Sequence, residues 1–404
     1  MVQRRVPLTV YQPARAGVRS FAILAALEAA ARGVLISVFP ILMYRHLGDA
    51  KTVSEVYLAA GAVSLVVALF TPAIARYIPR RWLFTIGVVI MIAGSLAGAA
   101  GGEELVAIAL LANTVALVIT TVCFNAYVMD YIERTSLGSN ESARLFYSGA
   151  AWAVGPFLGV WLMDIWLPAP FLLTVTACIL QLAFFWYLRL GDGKVIMRAK
   201  RPAANPLAYL PRFFLQKVLV AGWLFSVIRS VGWAVYIVYL PIFAVQSGLG
   251  DKLGGLVLSI SNAFLFLSPL MLRYIQAKSV RIAIITGFSV SGVLFAAAPL
   301  LASVPMALVL LMVAGTLFLV LLDVSAGLPF LMSVKPSERT EMAAVYSTFR
   351  DVSAVVTPGF ARLILVFLPV TGVFAACGAS LIACAIIAMR LHPRLGQKRL
   401  ASAE

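Results

Sequence analysis

Twelve apolar runs of about twenty residues or more occupy most of this chain, at approximately 18–44, 53–76, 82–101, 104–132, 143–165, 168–190, 214–246, 253–276, 280–302, 304–334, 343–367 and 370–391. A helix of about 20 apolar residues crosses a hydrocarbon core of roughly 30 Å. In that medium every backbone polar group must find its partner within the structure, so runs of this length fold as helices. Hydrophobic residues make up 62% of the 404 positions and charged ones 12%, more apolar surface than a soluble fold could hide. The expected fold class is all-α and integral to a membrane. The first run is too long for a signal-peptide core and reads as the first span.

The net charge of +16 would suggest nucleic acid in a soluble protein, but its placement argues otherwise. Arg4, Arg5, Arg15 and Arg19 precede the first span, and Arg76, Arg80 and Arg81 follow the second. Lys194, Arg198, Lys200 and Arg201 follow the sixth, Arg273, Lys278 and Arg281 the eighth, and Arg390, Arg394, Lys398 and Arg399 the twelfth. The alternate loops hold little besides Arg45, Lys51 and Lys252. This positive-inside pattern predicts both termini in the cytoplasm, an even number of spans and a bacterial-type inner membrane. The basic residues serve topology and lipid headgroups rather than nucleic acid. Cys123, Cys178, Cys377 and Cys384 lie in apolar runs at no metal-ligand spacing, so neither a metal nor a cofactor is expected.

One long polar interruption, with Pro202, Pro206 and Pro211 among basic residues, divides the runs six and six. The expected organisation is an N-terminal bundle at 1–193, a cytoplasmic linker at 194–212 and a C-terminal bundle at 213–404. Internal similarity supports it. Pro72-Ala-Ile-Ala-Arg76-Tyr77-Ile78 matches Pro269-Leu-Met-Leu-Arg273-Tyr274-Ile275 at an offset of 197, and Arg32 and Arg229 share that offset. Phe39-Pro40-Ile41 and Leu240-Pro241-Ile242 repeat at 201. Duplicated halves with a site between them are the usual plan of secondary transporters.

Arg32 and Arg229 sit deep in apolar runs, where a cation costs about 2.5–3.5 kcal/mol on insertion scales and normally faces a pathway or a partner. Glu28 lies one helical turn before Arg32 and shares its face. Asp323, deep in the tenth run, is available to neutralise Arg229. These spacings nominate Glu28 and Asp323 as proton sites. Arg32 and Arg229 become a guanidinium clamp for a carboxylate or phosphate. Asn125 is a further candidate cavity residue, and Tyr236 and Tyr239 a candidate aromatic wall.

In length, basic central loop and two six-helix halves the chain resembles the major facilitator superfamily, over essentially its whole length. The family's loop after span two is similar to Gly-x-x-x-Asp-Arg-x-Gly-Arg-Arg. Here it reads Pro72 to Arg81, keeping Arg80 and Arg81 but placing Arg76 where the family has its aspartate. The resemblance implies a gating role for Arg76, Arg80, Arg81 and the repeat's Arg273. Gly155-Pro156-Phe-Leu-Gly159 resembles the family's antiporter-associated motif on span five, with a cruder counterpart at Pro358 on span eleven. Bending and close packing are what such residues provide.

The function these observations point to is secondary active transport by alternating access. The expected form is proton-coupled antiport exporting a small anionic, zwitterionic or amphipathic solute, by a monomer whose partners are substrate, protons and membrane lipids. The competing expectations are an organic-anion or organic-phosphate carrier or lipid flippase without proton coupling, and a transport-inactive assembly or sensing protein. No phosphate loop, dinucleotide fingerprint or catalytic constellation suggests an enzyme.

Overall fold

The computed structural model describes residues 17–75, 77–131, 137–188, 206–334, 342 and 345–391. Among them, ten helices are long and apolar enough to cross a membrane. Val280–Ala296 and Phe349–Leu365, each of 17 residues, complete a set of twelve spans in two pseudo-symmetric six-helix bundles.

Spans one to six are Val18–Leu47, Ala50–Ile74, Arg80–Ala100, Glu103–Tyr131, Leu137–Ile165 and Ala169–Tyr187. Spans seven to twelve are Lys217–Gln246, Asp251–Ala277, Val280–Ala296, Pro305–Ser325, Phe349–Leu365 and Val370–Ala388. Short turns join spans one–two, three–four, five–six, seven–eight and eleven–twelve on one side, here the far face. The described chain begins and ends on the other, near face. The turns are tight because their residue types permit it. Gly48 closes span one at φ 69, and Asp49 caps span two by accepting the Thr52 N–H at 3.3 Å.

Span one is broken. It runs as a helix to Leu35, turns at Ile36 and Ser37, and resumes at Val38. Pro40 has no N–H to give the Ile36 carbonyl four residues back, which is the local cause. Its repeat, Pro241, lies inside an unbroken span seven. The near segment of span one packs on spans five and six, whereas the far segment touches spans two, four and seven. Spans two and eleven, and spans five and eight, pack across the two bundles.

The linker expected at 194–212 falls partly within the described residues. Residues 189–205 lie outside the described set, but Pro206–Phe214 is a short helix. Pro206 is harmless as its first residue, and Phe213 is fully buried against Phe330, 6.4 Å between ring centroids.

Candidate functional site

Two acid–arginine pairs lie between the bundles. Arg32 Nη1 is 3.6 Å from Glu28 Oε1, with side chains 32% and 15% exposed, and its guanidinium stands over the Trp152 ring at 5.1 Å. Arg229 Nε is 3.3 Å from Asp323 Oδ1 but too poorly aligned for a hydrogen bond, and its guanidinium lies 5.3 Å from the Phe349 ring. Trp233, one turn along span seven, donates its indole N–H to Asp323 Oδ2 at 3.0 Å. Ion pairs this loose leave most of each guanidinium's five donors uncommitted. Arg350, at the start of span eleven, rests on the other contact of Phe349 at 5.5 Å and is within electrostatic range of both Arg32 and Asp323.

Beyond Arg32 towards the far face is a cavity of about 160 Å³. Its lining includes Phe39, Tyr57, Asn113, Thr114 and Trp152, and spans one and seven contribute Ile36 and Ile237. Asn113 is only 8% exposed and its Nδ2 has no hydrogen-bond partner.

Sequence reasoning missed Asn113, Trp152 and Tyr57, and read Arg350 only as part of a gating or structural charge cluster between spans ten and eleven. Asn125, chosen instead on span four, is exposed and does not line this cavity. Twelve residues separate the two asparagines, a little over three turns, and no spacing in the sequence favours either. Tyr236 and Tyr239 form no open aromatic wall, for both are 1% exposed and hydrogen bonded. Tyr236 donates to the Val257 carbonyl at 3.1 Å and meets Ser261 at 2.7 Å, while Tyr239 meets Ser54 at 2.7 Å. A buried phenol needs such a partner, and here the partners are helices two and eight rather than a ligand.

The small residues of span five are packing elements. A Cβ at Gly159 would lie 1.8 Å from the Val34 carbonyl oxygen, and one at Gly155 2.7 Å from the Gly33 carbonyl carbon. Pro156 sits within the helix, and the next amide, Phe157 N–H, donates to Ser259 of span eight at 3.0 Å. Pro358 is likewise buried inside span eleven, next to Gly359 against Leu58. Of the loop arginines, Arg76 lies outside the described residues. Arg80 and Arg81 begin span three beside Tyr127, and Arg273 is exposed on span eight.

The far face is closed between the bundles by ion pairs Arg45–Asp251, Lys252–Asp164 (2.7 Å) and Arg362–Glu55 (2.7 Å), and by the Tyr239–Ser54 hydrogen bond.

A family model described as Major Facilitator Superfamily matches residues 21–332. Among solved structures, one of the nucleoside transporter NupG covers 93% of this chain and 100% of its own, with TM-score 0.69 and 14% identity. A point mutant of NupG covers 92% and 99%, with TM-score 0.72 and 12% identity. Likeness at such identities is one of fold. No curated protein sequence matches the chain. The family match extends over well more than half the residues, from the first span to just past the tenth, and the chain belongs to the Major Facilitator Superfamily: it is a multi-pass membrane transporter of a small molecule, not an enzyme.

Proposed function

We propose that the chain moves a small organic anion together with protons, by rocking bundle 1–193 against bundle 213–404. The observation that carries this reading is the pair of loosely held arginines, each beside a carboxylate it can release: Arg32 with Glu28 at 3.6 Å and Arg229 with Asp323 at 3.3 Å. Arg32 and Arg229 also each face an aromatic ring, Trp152 and Phe349, rather than a second carboxylate, an arrangement that leaves room for an anionic guest.

The coupling follows from charge. An incoming carboxylate or phosphate competes with Glu28 and Asp323 for the arginines. A carboxylate that loses its cation in a low-dielectric site neutralises itself by taking a proton. Anion and proton therefore bind together, which is the order of events in cotransport. Antiport would require them to compete. The span-five motif that pointed towards export is accounted for by the contacts of Gly155 with Gly33 and Gly159 with Val34. With the termini cytoplasmic, as the basic loops favour, the closed far face is the outer one and protons flowing inward draw the anion with them. The reading is of a monomer in an inner membrane.

Proteoliposomes test this. An imposed proton gradient is expected to drive uphill accumulation of a bound anion. Glu28→Gln with Asp323→Asn should abolish accumulation while preserving passive exchange of labelled for unlabelled anion. Accumulation driven by protons moving in the opposite direction to the anion would overturn the cotransport reading and restore antiport.

A further inference from the structure

The cavity beyond Arg32 has a chemistry of its own. Three aromatic side chains from three spans, Phe39, Tyr57 and Trp152, give it flat apolar walls. Asn113 is more than nine-tenths buried and lines the same space, and its Nδ2 has no hydrogen-bond partner. Burying an amide without a partner is costly, which makes it a group that gains from a guest. Pro40 and Pro241 each lack the amide that would serve the carbonyl four residues earlier, and those residues are Ile36 and Ile237, both in the lining. At Ile36, where span one is broken, irregular backbone stands in the cavity wall, the way transporter helices offer carbonyls to a solute. A volume of about 160 Å³ falls well under the roughly 300 Å³ where drug-sized pockets begin, so it has room for one ring.

We infer that Asn113 is a specificity residue, and that the solute is a single planar heteroaromatic ring bearing an anionic group and an edge of adjacent carbonyl and N–H. The ring lies between the aromatic walls. Its anionic group reaches Arg32, which lines the same cavity. The carboxamide of Asn113, both donor and acceptor, pairs with the carbonyl and N–H edge as such amides pair with nucleobase edges. This deepens the anion reading above and rests on it.

The test uses purified full-length protein in nanodiscs and four probes in a binding titration. Orotate carries ring, edge and charge. Benzoate lacks the edge, uracil lacks the charge, and succinate lacks the ring. Orotate is expected to bind at least tenfold tighter than each of the others. Asn113→Leu should bring orotate down to the benzoate level and leave benzoate unchanged, and Trp152→Leu should weaken both rings but not succinate. Thermal melts check that each variant is folded, with Asn113→Ala as the alternative if the leucine is not tolerated. Succinate binding as tightly as orotate, or orotate affinity untouched in a folded Asn113 variant, overturns the ring assignment while leaving the anion reading intact. No anion binding in an Arg32-dependent way would instead remove the anion reading, and this inference with it.

Discussion

Tyr239 of span seven and Ser54 of span two share a hydrogen bond of 2.7 Å between the two bundles, with both side chains buried. Ser54 also donates to the Ala50 carbonyl at 2.8 Å, so the pair is anchored into the first turn of span two. It lies among the Arg45–Asp251, Lys252–Asp164 and Arg362–Glu55 pairs that close the far face. The ion pairs at Lys252 and Arg362 are about half exposed and so worth little individually. The buried hydroxyl pair is the firmer tie.

Removing it should open the far face more often. Tyr239→Phe keeps the ring and deletes one hydrogen bond, worth about 1 kcal/mol, or roughly a fivefold change in the open population. A cysteine replacing Ile237 in the cavity should react about fivefold faster with a membrane-impermeant thiol reagent added at the far face. Asp164→Asn in the same background should change that rate by less than twofold.

The Arg229–Asp323 pair predicts a reversal of the usual additivity. Arg229→Ala alone takes from Asp323 its nearest cation, leaving the Trp233 N–H and the more distant charge of Arg350, and should cost about 1–3 kcal/mol. Arg229→Ala with Asp323→Ala removes both charges and should be more stable than the single change. Thermal unfolding in detergent measures this, and a double variant less stable than Arg229→Ala would contradict the pairing.

Glycine positions on spans five and eleven should respond differently to one methyl group. Gly159→Ala drives a Cβ into the Val34 carbonyl and should cost about 1–3 kcal/mol by forcing spans one and five apart. Gly359→Ala meets only the end of Leu58, at 3.4 Å, and should be tolerated. Comparing melting temperatures of the two variants is sufficient.

Coupled binding of anion and proton fixes the sign of a pH effect. Because protonation of Glu28 and Asp323 frees the arginines, anion affinity should rise as pH falls. The Glu28→Gln/Asp323→Asn variant should bind as the wild type does at low pH and show a flattened profile. Titration calorimetry across the acid-to-neutral range reads both.

The spans were legible because membrane insertion is a property of composition over about twenty residues, which sequence displays directly. Arg32 and Glu28 were legible as neighbours because a helix places positions four apart on one face. Asp323 was nominated for Arg229 as the deep carboxylate on another span. Asn113 was not legible: a lone amide in an apolar run has no periodicity, and only the packing of spans one, two, four, five and seven makes it a wall of a cavity. The helix at Pro206–Phe214 was hidden for a different reason. Its prolines read as breakers, yet one stands at the first turn, where the missing N–H costs nothing.

The interruption at Ile36 and Ser37 has a mechanical consequence. Its near segment is held by spans five and six of its own bundle, and its far segment, carrying Arg45, touches spans two and four of that bundle and span seven of the other. The ten residues from Val38 to Leu47 thus follow a two-residue break, and Ile36 of that break is in the wall of the cavity. A solute in the cavity therefore meets the chain at the joint between a near segment packed within its own bundle and a far segment that also touches the other bundle.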